Sequence, residues 1–192
     1  MFNLDNRIRH WSTGYTAKNQ GDSPPCPFDD WLEFFEGNVL EIGPGEGRQY
    51  VTLKDRPKIR LYAIAEISEQ ALRSPIYENV QKKFLLRRYD EDLGYRFNVI
   101  HFWYVLHHIP RIEIADFVQF LRTHITENGL ILFNTPYLDF DQGAYADDGV
   151  LTTKYTISEV IDIFGKYFFC LLADGSDWGK SHGYLYIGRP TI

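Results

Sequence analysis

The chain has 192 residues, of which 44% are hydrophobic and 24% are charged, and its formal net charge is −6. This length and composition are typical of a single globular domain with a sizeable core. The negative charge argues against a broad phosphate-binding surface, and therefore against nucleic acid as the main partner.

The two cysteines, Cys26 and Cys170, lie far apart in the sequence. They form no Cys-x-x-Cys pair, so the sequence predicts neither a disulfide framework nor a zinc site. No apolar run reaches the ~20 residues that a membrane-spanning helix requires, and residues 1–10 lack the apolar core of a signal peptide. We therefore expect a cytoplasmic protein that does not contact a membrane.

The first 36 residues are expected to form an N-terminal cap segment, and residues 37–192 one domain. Prolines at positions 24, 25 and 27 exclude a helix or a central strand around them. This stretch is expected to run over the surface towards a short helix, Phe28–Glu36, which ends at Gly37.

Strands and helices alternate over the rest of the chain. In chain order, the predicted elements are strand Val39–Ile42, helix Arg48–Lys54, strand Arg60–Ala65, a helix that begins at Glu69 after a Ser68 cap, strands Lys83–Arg87 and Phe97–Trp103, helix Glu113–Ile125, strand Leu130–Phe133 after a turn at Asn128-Gly129, a helix from Thr156 or Ser158 to Phe164, and strands Tyr167–Leu172 and Tyr184–Gly188. This alternation predicts an α/β fold with a mostly parallel sheet and helices on both faces. No clear helix separates the last two strands, which we therefore expect to be antiparallel.

Residues 39–47 read Val-Leu-Glu-Ile-Gly-Pro-Gly-Glu-Gly, so an apolar strand breaks into glycines at alternate positions. Something must approach this backbone so closely that a Cβ would clash. In an open α/β sheet such a turn lies at the carboxyl end of the strand, where these folds bind ligands. The helix that follows offers unpaired N–H groups to an anionic group. A tight turn between strand and helix, without a ligand, is the alternative.

The spacing Gly43-x-Gly45-x-Gly47 resembles motif I of the class I methyltransferases that use S-adenosylmethionine (SAM), and Glu41 matches the acidic position of that motif. Dinucleotide-binding folds have Gly-x-Gly-x-x-Gly instead. The predicted strands are also similar to that family's Rossmann-like, seven-stranded sheet with a reversed last strand. The resemblance covers roughly residues 37–190 and implies SAM as the cofactor.

The resemblance also implies residues that contact the cofactor after the second and third strands. Glu66, followed by Ile67, matches an acid that accepts hydrogen bonds from both ribose hydroxyls. Asp90 matches an acid that bonds the adenine amino group, and the N–H of the next residue, Glu91, would meet the ring. The alternatives are a surface acid near a helix N-terminus for Glu66 and a solvated acidic loop for Asp90.

The run Val-Leu-His-His-Ile-Pro at positions 105–110 strongly resembles the motif after the fourth strand in many small-molecule methyltransferases. Trp103 and Tyr104 fall where that family lines the cofactor pocket, and aromatic faces can help to hold the positive charge of a sulfonium. Near the N-terminus, Tyr15 and Trp11 are candidates to close over the methionine end of the cofactor. Simple packing on the core is the alternative for both.

Three histidines are candidate general bases, because an unperturbed imidazole titrates near neutrality. They are His107, His108 and, between the last two strands, His182. A purely structural role in hydrogen-bonded loops is the alternative for each. Neighbouring side chains point in different directions and no third ligand has a helpful spacing, so no metal site is predicted.

Residues 134–137, Asn-Thr-Pro-Tyr, superficially resemble the Asn/Asp-Pro-Pro-Tyr signature of DNA amino-methylating enzymes. They follow the fifth strand rather than the fourth and contain one proline, which argues against methylation of nucleic acid. The sequence predicts a SAM-dependent methyltransferase that acts on a small-molecule acceptor by in-line displacement. A non-catalytic SAM-binding or scaffold protein of the same fold is the main alternative, and a nicotinamide-dependent oxidoreductase is disfavoured by the glycine spacing. The acceptor and the oligomeric state are not fixed by the sequence.

Overall fold

A computed structural model describes residues 8–9, 31–136, 153–174, 177–178 and 181–191. Tyr15, Trp11 and most of the predicted cap segment lie outside these residues, and only the backbone of His182 is described. The strands are β1 Gly37–Ile42, β2 Ile59–Glu66, β3 Lys82–Leu85, β4 Phe97–Phe102, β5 Ile125–Pro136, β6 Phe168–Asp174, β7 Asp177–Trp178 and β8 Ser181–Pro190. The α-helices are α1 Arg48–Leu53, α2 Glu69–Leu72, α3 Ile114–His124 and α4 Ile157–Phe164, and 3₁₀-helices cover Leu32–Phe34, Pro75–Tyr77 and Leu106–His108.

The strands form one sheet in the order β3-β2-β1-β4-β5-β8-β6, and the two-residue strand β7 pairs with β8. The first five strands of this order are parallel. Strand β8 runs antiparallel to both of its neighbours, β5 and β6. The predicted fold class is therefore confirmed: a Rossmann-like, mostly parallel α/β sheet whose last strand is reversed.

Helices pack on both faces of the sheet and create two hydrophobic cores. One core joins α3 and α4 to the sheet and contains Phe102, Phe117, Phe133 and Phe164. The other core joins α1 and α2 to the opposite face, with Tyr62 at its centre. None of the helices in the described ranges has the length and apolar character to cross a membrane.

The sheet register brings several strand ends to one edge. Ile42 of β1 pairs with Ala65 of β2 on one side and with Phe102 of β4 on the other. Phe102 in turn pairs with Phe133 of β5. The residues that follow these four positions therefore lie side by side at the carboxyl edge of the sheet, where open α/β folds bind ligands.

Two local predictions were wrong. Asn128 and Gly129 lie within β5, which begins directly after α3, rather than in a turn. The pairing of β4 with β5 is irregular between Ile125 and Leu130. A Cβ on Gly129 would lie 2.5 Å from Ile125 Cγ1 and 2.9 Å from the carbonyl oxygen of Asn98, so the close approach of β4 favours glycine here. The predicted helix Phe28–Glu36 contains, in its described part, only the 3₁₀-helix Leu32–Phe34.

Candidate functional site

The glycine loop, residues 43–47, leaves β1 at the carboxyl edge of the sheet. Its three glycines have positive φ angles, from 55° at Gly45 to 78° at Gly47. A Cβ on Gly43 would lie 2.6 Å from Val105 Cγ2, and one on Gly47 would lie 2.9 Å from Ile76 Cδ1. The loop therefore requires glycine both for its left-handed backbone and because the protein's own side chains approach it closely.

Glu66, the last residue of β2, lies beside the glycine loop, which is bound to the second strand by the backbone hydrogen bond from Gly43 to Ala65. Its Oε1 accepts hydrogen bonds from the backbone N–H groups of Ile67 at 2.7 Å and Ser68 at 3.1 Å, and the carboxylate also lies close to the backbone of Gly45. The side chain is only 8% exposed. Burial raises the pKa of Glu66 to about 7, although the backbone hydrogen bonds oppose this shift.

Glu41 lies beneath the same loop and is almost fully buried. Its Oε2 accepts a 2.7 Å hydrogen bond from the hydroxyl of Tyr62. Burial is the main cause that raises the pKa of Glu41 to about 8; the Tyr62 hydrogen bond opposes the shift and the neighbouring charge of Glu66 adds to it. Glu41 is thus a desolvated carboxyl group beside a second one.

Tyr77 closes this part of the site from the 3₁₀-helix Pro75–Tyr77. Its hydroxyl donates a 2.7 Å hydrogen bond to the carbonyl oxygen of Gly45. Burial raises its pKa, and the nearby carboxyl groups of Glu41 and Glu66 raise it further. The glycine loop is therefore held by its backbone hydrogen bond to β2 on one side and by Tyr77 on the other.

The segment after β4 is strained and is held by the end of β5. Tyr104 has a positive φ of 56°, a conformation that is uncommon for a residue with a side chain. Its backbone N–H donates a 2.7 Å hydrogen bond to Oδ1 of Asn134, which is buried. Trp103 is also buried, and its indole N–H donates to His101. Strain of this kind is often found at binding and active sites.

His107 and His108 lie in the 3₁₀-helix that follows, with ring centroids 3.8 Å apart. Burial, assisted by the neighbouring His108, holds the pKa of His107 well below its usual value, so this imidazole is neutral at physiological pH. Its Nδ1 is buried and has no hydrogen-bond partner among the described residues, and neither has Oγ1 of Thr135 at the end of β5. Within those residues no cluster of three His, Cys, Asp or Glu side chains could hold a metal ion.

Asp90 and Glu91 follow β3 and lie on the wall of a groove of about 580 Å³ beside α3. Asp90 is exposed and forms an ion pair with Arg88. Oε1 of Glu91 accepts hydrogen bonds from the backbone N–H groups of Arg87 and Arg88. These local contacts occupy both side chains, and their assignment to the adenine ring stays a prediction.

The structure also contains site residues that the sequence reasoning did not single out. His101 of β4 and Tyr62 of β2 connect Trp103 to Glu41 through hydrogen bonds. A histidine within the apolar run Phe97–Phe102 is a visible signal, because an uncharged polar group buried in a central strand needs partners.

Comparison with known proteins identifies the family. The model of a family described as a methyltransferase domain matches residues 23–162, most of the chain. The chain belongs to this methyltransferase family. No curated protein matches the sequence significantly.

Solved structures share the fold of this methyltransferase at low sequence identity. DhpI in complex with S-adenosyl-L-homocysteine (SAH) has a TM-score of 0.71 and 15% identity, and the match covers 97% of this chain and 96% of DhpI. The N-methyltransferase NodS from Bradyrhizobium japonicum in complex with SAH has a TM-score of 0.68 and 14% identity, over 99% of this chain and all of NodS (100%). A SAM-dependent methyltransferase from Clostridium acetobutylicum has a TM-score of 0.67 and 11% identity, over 98% and 99% of the two chains.

Proposed function

We propose that this methyltransferase uses SAM and transfers its methyl group to a small-molecule acceptor. The observation that carries the proposal is the glycine loop with positive φ angles, beside the buried carboxyl group of Glu66 at the carboxyl edge of the sheet. The neighbours crystallised with SAM or SAH support the choice of cofactor.

Glu66 fits the ribose of a nucleoside cofactor. Two backbone N–H groups donate to its carboxylate, and a carboxylate has about four lone-pair sites, so acceptor capacity remains. Because the group is desolvated, hydroxyl donors from a ligand would stabilise it more strongly than they would an exposed acid. The residues present therefore suit a ligand that offers hydroxyl groups here.

When bound, SAM supplies an electrophilic methyl group on a sulfonium. The protein's contribution would then be to align the acceptor with that methyl and to exclude water, and proximity alone can account for a large share of the acceleration. His107 is neutral but a weak base, since its pKa is held well below the usual value. It suits a role as a hydrogen-bond acceptor for the nucleophile better than a role that removes a proton from a weakly acidic group.

The small-molecule acceptor is supported by two further observations. The net charge of −6 disfavours a polyanionic acceptor. A 1,6-didemethyltoxoflavin N1-methyltransferase crystallised with its small acceptor and SAH shares the fold, with a TM-score of 0.68 and 14% identity. A cytoplasmic location stays a prediction from the sequence.

The test is the conversion of SAM to SAH by the purified protein with a panel of small acceptors that carry amine, hydroxyl or acidic carbon nucleophiles. We expect SAH to form with at least one class and not with Glu66→Ala. If SAM binds but no acceptor produces SAH, the non-catalytic alternative gains support. Binding of NADH in place of SAM would favour the oxidoreductase alternative.

A further inference from the structure

A continuous series of buried hydrogen bonds leads to Glu41 from the neighbouring strands β4 and β2. The indole N–H of Trp103 donates to Nδ1 of His101 at 2.8 Å. Nε2 of His101 lies 3.2 Å from the hydroxyl oxygen of Tyr62, which is itself 2.7 Å from Oε2 of Glu41. All four side chains are buried.

The direction of every hydrogen bond in this series follows from one donor. An indole N–H can only donate, so Nδ1 of His101 must be the acceptor and the proton of the neutral ring must sit on Nε2. Burial lowers the pKa of His101 to about 3, which keeps the ring neutral. Nε2–H therefore donates to the oxygen of Tyr62, and the Tyr62 hydroxyl is left to donate to Glu41.

The groups that face Glu41 do not neutralise a negative charge. On β2 they are Tyr62 and the acid Glu66, on β4 the neutral His101, and in the 3₁₀-helix Pro75–Tyr77 the hydroxyl of Tyr77. On α1, the ring of Tyr50 packs against Tyr62 with centroids 5.3 Å apart. Within the described residues, no lysine or arginine contributes to the shifted pKa of Glu41. A second negative charge beneath the glycine loop would thus be desolvated and repelled by Glu66.

We propose that burial without a cationic partner among the described residues keeps Glu41 a neutral carboxylic acid in the cofactor-free protein, that the series Trp103–His101–Tyr62 fixes its position, and that binding of a cationic cofactor at the glycine loop releases its proton. This inference rests on the proposed function. The O–H bond of the Glu41 carboxyl breaks, the proton passes to solvent, and the carboxylate that remains faces the positive charge of the ligand. Tyr62 stabilises the carboxylate by its hydrogen bond and so sets the pH at which the exchange occurs.

The first test follows Glu41 itself in the cofactor-free protein. Carbon-13 NMR of protein labelled at the glutamate carboxyl carbons gives its titration midpoint, with Glu41→Gln used to assign the signal. We expect a midpoint well above the ordinary carboxyl range, and a higher one in Tyr62→Phe, which removes the donor. Tyr50→Phe is the matched control, because its hydroxyl makes no hydrogen bond within the described residues, and it should leave the midpoint unchanged.

An ordinary midpoint, or equal midpoints in Tyr62→Phe and the unmodified protein, would overturn the inference. Thermal melts of the variants show that each is folded before it is titrated. The comparison does not depend on whether SAM binds.

The second test counts protons by calorimetry in two buffers of different ionisation enthalpy. At pH 7, SAM should release about one proton more from the unmodified protein than from Glu41→Gln. Adenosine, which has neither the sulfonium nor the ammonium, should show no such difference. Between pH 6 and pH 7 the affinity for SAM should rise nearly tenfold. The α-ammonium group of SAM, if its pKa is ordinary, stays protonated over this range and does not contribute to the change.

The outcomes separate this inference from the proposed function. If SAM binds and releases the same number of protons from both proteins, the proton linkage is wrong and the proposed function stands. If SAM does not bind at any pH, the proposed function is wrong, and so is the proposed release of a proton from Glu41.

Discussion

At the ends of β1 and β2, the buried acids Glu41 and Glu66 are held by hydrogen bonds from Tyr62 and from the backbone. At the ends of β4 and β5, Nδ1 of His107 and Oγ1 of Thr135 are buried without a partner among the described residues. The first region, with residues 43–47, is the glycine-loop side; the second, with residues 103–108, is the β4–β5 side. Both lie at the same edge of one sheet.

The difference separates two kinds of recognition. On the glycine-loop side the protein itself supplies the donors, so that side is largely formed before a ligand arrives. On the β4–β5 side, buried polar atoms have no partner among the residues that the structure describes, which is uncommon in native proteins and costs free energy. We infer that the glycine-loop side serves the cofactor and that a polar group of a ligand pairs with His107 and Thr135.

The largest expected effect is on the glycine-loop side. Glu66→Ala should weaken SAM binding by roughly 100-fold or more, because two hydrogen bonds to a charged acceptor are lost. Glu69→Ala is the matched control, since that acid is exposed and pairs with Arg73, four residues further along the chain. Calorimetry with SAM measures both variants, and similar affinities for the two would show that Glu66 does not contact the cofactor.

Gly43 joins the two sides, because it faces Val105. Gly43→Ala should lower the free energy of unfolding by about 2–4 kcal/mol, from the left-handed backbone and the clash together. Gly94 also has a positive φ but open space around its Cβ position, so Gly94→Ala should cost only about 1 kcal/mol. Urea unfolding gives both values. Adding Val105→Ala to Gly43→Ala should recover part of the loss, and no recovery would show that the contact is not the cause.

The pH dependence of stability tests the neutral form of Glu41. The pKa of Glu41 is 4.5 in the unfolded chain, and burial raises it to about 8 in the folded chain. Its contribution to stability is therefore present in full below pH 4.5 and is lost as the pH rises through 8, at up to about 1.4 kcal/mol per pH unit. The unfolding free energy of the cofactor-free protein, measured relative to that of Glu41→Gln, should therefore fall between pH 5 and pH 8. A difference that does not change over this range would mean that Glu41 is ionised throughout.

The smallest effect is expected on the β4–β5 side. Thr135→Val removes a buried hydroxyl that has no partner among the described residues, so stability should stay the same or rise by up to about 1 kcal/mol. By contrast, Thr156 caps α4 through a capping box with Glu159, so Thr156→Val should lower the free energy of unfolding by about 1 kcal/mol. Thermal or urea unfolding compares the two, and equal losses would show that the Thr135 hydroxyl has a partner in solution.

Much of the fold and part of the glycine-loop side can be predicted from local sequence. Alternating strands and helices gave the sheet, and the spaced glycines with Glu41 and Glu66 marked its ligand-binding edge. The position of Gly129 within β5 could not be predicted, because Asn-Gly in isolation is typical of a turn and only the close approach of β4 reveals its role.

The connection of Trp103 through His101 and Tyr62 to Glu41 was also beyond local reasoning. It depends on the register of three strands that are distant in sequence, in which Glu41 pairs with His101. Whether a buried histidine is a base or a structural acceptor likewise depends on its partners. For His107 the decisive fact is its burial, which the sequence motif does not reveal.

The central claim is that the glycine-loop side binds SAM. The most direct test is a calorimetric titration of the purified protein with SAM and then with SAH. The account predicts saturable binding of both, with one ligand for each chain. Absence of binding by both ligands across pH 6 to 8 would contradict it, and the glycine loop would then need an explanation in the protein's own packing alone.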